Sequence, residues 1–284
     1  PALASSFELE LTLEAFPFLR SHVINAKAVL PFAVIVEWLG HAALHGAPGL
    51  LYHGFRDMRI FKGVLLQEGA SYRVRASAGK PSREGELYAA KVELRGGEGD
   101  VLHASAVVLL AARLPQAAGP AADFPVEPYG RTMEKAYRDV LFHGPDLQAL
   151  RSVAGLSPDG IVAEAAAALP PLSWMRGPLR DEWLADPAAL DAAFQAMILW
   201  TFDTIGAGSL PSSAASYKQY RPRFPERGVT VRARIRKSME NLVRADIDFL
   251  DADGGLVARM EGYECTVDKS LNSAFRRNAL EALA

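Results

Sequence analysis

A chain of 284 residues, half of them hydrophobic, 23% charged and with a net charge of −2, is one large domain or two ordinary ones with a sizeable core. The scattered charge excludes the basic stripe of a nucleic-acid binder, and no uncharged apolar run is long enough for a membrane span. The single cysteine, Cys265, excludes an internal disulfide and a cysteine-based metal cluster, and points to a reducing, cytoplasmic setting.

The opening PALASSFELELTLE is acidic and alternating, unlike a signal peptide, and it lacks an initiating Met, which points to a piece of a longer protein. Next comes SHVINAKAVLP, with His22 nine residues before Pro31. Proline suits the first turn of a helix, and a helix is predicted from about Pro31 to His45. Residues 32–44 are apolar nearly all round, apart from Glu37, Gly40 and His41, so this helix is enclosed rather than laid on a surface. Strand-like stretches follow: LLYHGFRDMRIFKGVLL, SYRVRASAG, ELYAAKVELRG and VLHASAVVLLAA, with GGEGD as a hairpin turn before Val101.

Residues 112–130, ARLPQAAGPAADFPVEPYG, have no sustained period and read as a linker. The predicted organisation is a repeat over 1–114, a linker over 115–128 and a second repeat over 129–284. The second repeat has a helix from about Pro187 to Ile205, with Asp186 placed to cap it and Gly206 to end it. SYKQYRPRF, VTVRARIRK, VRADIDFLD and LVARMEGYECTV then read as strands, with DADGG as the last turn. The expected fold is α+β: two tandem hot dogs, each an antiparallel sheet wrapped around a central helix.

LDAAFQA puts Asp191 and Gln195 on one face of an otherwise apolar helix. A buried carboxylate needs a partner. Taken singly, Asp191 is also explained as an acid serving a helix N-terminus, and His22 as a hydrogen-bonded histidine at a turn. The duplication joins them. If the two sheets meet side by side, His22 before one central helix faces Asp191 on the other. A base and an acid in one apolar tunnel suit proton abstraction and return.

Three segments carry a resemblance. His22-Val-Ile-Asn-Ala26-Lys-Ala-Val-Leu-Pro31 resembles the HxxxGxxxxP motif of dehydratase domains in polyketide and polyunsaturated fatty acid synthases. Asp191-Ala-Ala-Phe-Gln195 resembles their DxxxQ/H motif, and Leu141-Phe-His143-Gly144-Pro145 their YGP segment. Ala26 stands where the motif has glycine, and His143 where it has tyrosine. The resemblance spans about residues 7–268 and implies a double hot dog acting on β-hydroxyacyl chains tethered to acyl carrier protein. It further implies His22 as the base for the α-proton and Asp191 as the acid for the departing hydroxyl. Gln195 would hold the carboxyl group or the hydroxyl, and Ala26, Pro31, His143, Gly144 and Pro145 would lie with the substrate. A helix N-terminus would polarise the thioester, and neither a metal nor an organic cofactor is required. The implied partners are acyl carrier protein, the other domains of the synthase and a second copy joined through a first-repeat edge strand.

Other features read as structure. His41 and His45 have i, i+4 spacing, but HAALH lacks the glutamate of a zinc helix, so metal binding is not expected. His53 and His103 read as ordinary strand residues. AGSLPSS, 207–213, is not a serine-hydrolase elbow and is a candidate for the tunnel mouth. PPLSWMRGPLRDEW, 170–183, reads as a packed loop, with a substrate entrance as the alternative. No dinucleotide-binding glycine pattern is present, and Arg20, Arg276 and Arg277 are candidates for meeting an acidic carrier. The same dyad would serve an enoyl isomerase or a product-template-like cyclase. The rival of another class is a non-catalytic double hot dog that binds carrier or scaffolds a synthase.

Overall fold

The computed structural model describes residues 3–281. The first half runs β1 (Ala4–Leu11), a 3-10 turn (Pro17–Ser21), β2 (Val23–Ile24), β3 (Lys27–Val29), α1 (Phe32–His45), β4 (Leu51–Ile60), β5 (Leu65–Leu66), β6 (Tyr72–Ala78), β7 (Ser82–Glu84), β8 (Leu87–Gly96) and β9 (Val101–Ala111). The second runs β10 (Glu127–Pro128), α2 (Met133–Asp139), a 3-10 turn (Pro145–Leu147), β11 (Leu150–Ser157), β12 (Gly160–Ala165), α3 (Pro171–Trp174), α4 (Pro187–Ile205), β13 (Gly208–Gln219), β14 (Val229–Met239), β15 (Leu242–Leu250), β16 (Leu256–Asp268) and α5 (Ser270–Arg276).

Both halves share one antiparallel sheet of 13 strands, ordered β1-β6-β8-β9-β4-β13-β16-β15-β14-β12-β11-β10, with β7 added to β8. Read toward the centre, β1-β6-β8-β9-β4 and β12-β14-β15-β16-β13 have the same topology, so the duplication is a structural one. The seam is β4 against β13, in register from Ser213 opposite Arg59 to Lys218 opposite Gly54. Each half curls around its own helix. Residues 32–44 of α1 and 187–201 of α4 are all buried. The helices meet where Phe32 packs edge-on to Phe194, 5.2 Å between ring centroids. This is the double hot dog.

The second helix begins and ends as its sequence predicts. The Asp186 carboxylate accepts from Ala189 N at 2.9 Å, and Gly206 takes the left-handed conformation that closes the helix. The strand after it differs from expectation: β13 starts at Gly208, not near Ser216, so all of AGSLPSS but Ala207 is strand, and the chain leaves the sheet at Tyr220. Pro211 is tolerated because a register shift against β16 lies between it and Ser213, and pairing with β4 begins only at Ser213. The hairpin β11–β12 was not expected either; its signal is the Ser157-Pro-Asp-Gly160 turn between apolar stretches.

The linker is strapped down. Ala121 N donates to Asp248, while Arg232, Arg234 and Arg259 donate to the carbonyls of Ala121, Ala122 and Gly119. Its last two residues, Glu127 and Pro128, are already strand β10 on the far edge of the sheet. The C-terminal segment makes a second clasp. Asn25 N and Ala26 N, at the tip of the β2–β3 hairpin, donate to the carbonyls of Ala274 and Arg277 at 3.0 and 2.7 Å. Phe275 on α5 is buried against Phe142, 4.7 Å between centroids.

Candidate active site

His22 follows the 3-10 turn, pinned between the two halves. Its carbonyl accepts from Val29 N at 2.9 Å, and it forms an isolated antiparallel bridge with His143. The neighbouring contact is tight: Gly144 N donates to Ser21 O at 2.8 Å, and a Cβ at Gly144 would lie 2.9 Å from Ser21 Cα. Glycine is therefore required at 144 for close approach. Asp146 finishes the clasp by accepting from Ser21 Oγ at 2.8 Å.

The His22 ring has a definite tautomer. Its Nδ1 lies 2.7 Å from the Val29 carbonyl, which can only accept, so Nδ1 carries the hydrogen and Nε2 keeps its lone pair. Burial holds its pKa down to about 4, His143 adding to the effect and Asp191 opposing it. His22 is thus a neutral imidazole with a free basic nitrogen.

On α4, Asp191 Oδ2 lies 3.3 Å from His143 Nε2 and accepts from Gln195 Nε2 at 2.7 Å. Gln195 is itself fixed: its Nε2 also donates to Leu147 O, and its Oε1 accepts from Tyr137 OH, both at 2.8 Å. Burial pushes the Asp191 carboxyl up, but His143, His22 and the Gln195 amide together hold it below its ordinary range. The resting group is a carboxylate.

His22, His143 and Asp191 face a cavity of about 190 Å³ whose other walls are mainly apolar: Ile24, Val29, Leu30, Phe32, Ile35, Ile60, Phe142, Phe194, Ile198, Leu210 and Pro211. AGSLPSS does reach it, through Leu210 and Pro211, whereas no residue of 170–183 lines it. The expected His22–Asp191 meeting across the two halves is in place. Their ligand atoms and that of His143 lie within 4.8 Å of one another, close enough to consider a metal. The donor chemistry disfavours one. Ligation through His143 Nε2 would move its proton to Nδ1, which is buried without a partner.

Several predicted site residues act from behind the cavity. Ala26 does not line it; it sits at the hairpin tip with φ +63°, next to Asn25 at φ +50°. The turn needs left-handed backbone, which is why the motif's glycine suits it and alanine is strained. Pro31 precedes α1 as its N-cap while its neighbours Leu30 and Phe32 line the wall. Gly144 and Pro145 shape the turn that presents His143. Gln195 grips the carboxyl group; both protons of its amide are spent, so it does not hold a hydroxyl. Tyr137 and Phe142 were missed, because neither belongs to a local pattern. Phe142 stacks on His143 at 4.0 Å and meets His22 edge-on at 4.9 Å.

Away from the site, His41 lies with its Nε2 2.9 Å from Glu37 Oε1 while His45 is exposed, so the two do not form a metal pair. Arg20 is bound to Glu68, Arg277 to Glu281, and Arg276 donates to the Arg138 carbonyl. No helix among the described residues is long and apolar enough to cross a membrane.

The family model of the polyketide synthase dehydratase N-terminal domain matches residues 111–271. The chain belongs to the polyketide synthase dehydratase family. The match falls on the half that carries His143, Asp191 and Gln195. The chain is 27% identical over 221 residues to one component of the polyunsaturated fatty acid synthase of a Thraustochytrium species, covering 75% of this chain but 8% of that protein. The dehydratase domain of the CurF module of the curacin polyketide synthase has the same fold, with a TM-score of 0.72, 20% identity and 92% of each chain covered. A trans-AT polyketide synthase dehydratase domain from Brevibacillus brevis gives 0.71, 20% and 94% of each chain. These dehydratase domains align with both halves, so the likeness includes the half that holds His22.

Proposed function

We propose that this dehydratase domain converts a β-hydroxyacyl thioester on acyl carrier protein to the α,β-enoyl thioester within a polyketide or polyunsaturated fatty acid synthase. One observation carries the reading: the free Nε2 of a neutral His22 and the carboxyl group of Asp191 open from opposite halves onto the same apolar cavity. His22 Nε2 takes the α-proton, acidified by the thioester, while Asp191 in its protonated form gives its proton to the β-hydroxyl, which departs as water; the proton then held by His22 restores Asp191. The α1 N-terminus has no side-chain cap, and Leu30 and Phe32 beside it line the cavity. Its free N–H groups would stabilise negative charge on the thioester oxygen. Positioned acid–base work of this kind needs no metal or organic cofactor.

The reading brings with it a carrier protein that delivers the acyl chain, neighbouring synthase domains and a cytoplasmic setting. A homodimer would form through β1, whose only partner among the described strands is β6. The two repeats, 1–114 and 129–284, would act as one unit because each supplies one half of the dyad.

The test is mass spectrometry of 3-hydroxyacyl carrier proteins incubated with the domain and with His22→Ala. The expected result is loss of one water that depends on His22, with hydration of the matching enoyl carrier in reverse. A shifted double bond or a cyclised product would replace this reading with the isomerase or cyclase. Inertness in both directions over several acyl lengths would leave a scaffold.

A further inference from the structure

The wall of the cavity is uneven in exposure. The dyad and the residues from α1 and α4 are buried, whereas Ile24, Val29, Ile60, Leu210 and Pro211 are half-buried and Gly63 is exposed. The mouth therefore lies where β2, β3 and the turn after β4 meet the start of β13. We propose that the rim of this mouth, formed by Lys27 and Leu65 on one bank and Phe61 and Lys62 on the other, is the docking surface for an acidic acyl carrier protein, the two lysines receiving the phosphodiester of its pantetheine arm. The inference rests on the dehydratase reading given above.

The first bank follows from strand register. In the small β2–β3–β5 sheet, Val23, Ala28 and Leu66 are paired neighbours and fully buried, so they form one face. Ile24 lies opposite Lys27 and Val29 opposite Leu65, which puts these four on the other face. Ile24 and Val29 wall the cavity, while Lys27 and Leu65 carry the same face out into solvent, Leu65 being 47% exposed. The second bank is a pinned turn. Phe61 N and Lys62 N donate to His103 O at 2.8 and 3.4 Å, and His103 Nδ1 donates to Lys62 O at 2.8 Å. The fixed backbone leaves the Lys62 side chain exposed and Phe61 54% exposed. Each bank thus sets an apolar side chain beside a cation. Between them stands Gly63, which packing does not require. A Cβ there would touch only Leu65 Cδ2, at 3.8 Å, and its backbone is outside the left-handed region. The space a side chain would fill is left open at the mouth.

Charge selects the occupant. Neither Lys27 nor Lys62 makes an ion pair among the described residues, whereas Glu68 beyond β5 is held by Arg20, and Glu281, whose N–H lies 3.5 Å from Ala26 O, by Arg277. The arginines that the sequence offered for an acidic carrier are spent in this way, and the unspent cations stand at the mouth. A free acyl chain has no use for cations outside an apolar cavity, and a nucleic acid would need many more of them. An acidic protein that delivers a thioester through an arm bearing one phosphodiester matches two lysines with an apolar residue beside each.

The experiment measures dehydration of a 3-hydroxyhexanoyl chain on the synthase's acyl carrier protein and on N-acetylcysteamine, a thioester with neither phosphate nor protein. The double variant Lys27→Glu/Lys62→Glu should raise KM for the carrier-borne substrate about 10-fold or more, with kcat near wild type and the loss confined to that substrate. Wild-type kcat/KM for the carrier should fall as salt rises, and the double variant should lose that dependence. Lys237→Glu, an exposed cation on β14, is the control and should leave carrier kinetics unchanged. Gly63→Trp should slow both thioesters by closing the passage. Carrier kinetics and salt dependence unchanged in the double variant, on an active wild type, would overturn the docking surface alone. A wild type inert on both thioesters at several acyl lengths would bring down the dehydratase reading. Titration of nitrogen-labelled holo-carrier with the domain then still decides the surface, which stands if the double variant abolishes the shifts and falls if it keeps them.

Discussion

Each central helix carries a carboxylate with a hydrogen-bonding partner four residues on: Glu37 with His41 on α1, and Asp191 with Gln195 on α4. Each carboxylate also faces the segment that leads into the other helix. Glu37 accepts from Leu184 N and Ala185 N at 2.7 and 2.8 Å, just ahead of α4. Asp191 meets His22, ahead of α1, together with His143. The difference lies in what the acid opens onto. Glu37 is spent on His41 and on two backbone N–H groups and is a lock between the halves. Asp191 and its two imidazoles line the apolar cavity, which is what the proposed chemistry needs.

The sharpest way to break this comparison is to exchange the two roles. Asp191→Asn and His22→Ala should each cut turnover by about 10³-fold, in the range of a lost general acid or base, with the fold retained by circular dichroism. Glu37→Ala should do the opposite. It leaves buried donors unpaired and should cost about 3 kcal/mol, roughly 10 °C in Tm by calorimetry for a chain of this size, with kcat per folded molecule near wild type. A Glu37 variant that loses chemistry before stability would end the distinction between lock and catalyst.

Acid sharpens the same contrast. His22 has its pKa lowered from 6.5 to about 4, so above 6.5 both folded and unfolded chains leave it neutral. Between those values the unfolded chain takes up a proton that the folded one refuses, and stability falls as pH falls, by up to about 3 kcal/mol in total. The lowered Asp191 contributes in the same direction, its stabilisation being lost at low pH. Urea titrations at pH 7 and pH 5 should show the drop, and His22→Phe should remove the part arising between 6.5 and about 4. The smallest effect is expected at Ala26. Ala26→Gly relieves a left-handed alanine and should raise stability by about 1 kcal/mol in a thermal melt, kcat staying unchanged because Ala26 lies outside the cavity wall. A gain in turnover would move Ala26 into the site.

What could be read in advance was local or periodic. The limits of α1 and α4, the capping Asp186 and the closing Gly206 follow from short-range rules, and the strand-bearing halves from alternation. The facing of His22 and Asp191 followed from the duplication. The rest depends on contacts distant in sequence. Gln195 looked free to hold a hydroxyl until Leu147 and Asp191 took its amide protons. Ala26 looked like a substrate contact until the turn showed it bent away under the C-terminal segment. Nothing in LFHGP says that one nitrogen of His143 will be sealed and the other aimed at a carboxylate.

The C-terminal clasp bears on where such a domain can be cut and grafted. The family match stops at residue 271, yet the carbonyls that receive Asn25 N and Ala26 N belong to Ala274 and Arg277, and the ring that backs Phe142 is Phe275. A chimaeric synthase joined at 271 would replace the residues that hold the hairpin beside His22. The portable unit therefore includes its tail, and a swap that respects sequence similarity alone would move His22 and Asp191 without the brace behind the hairpin that precedes α1.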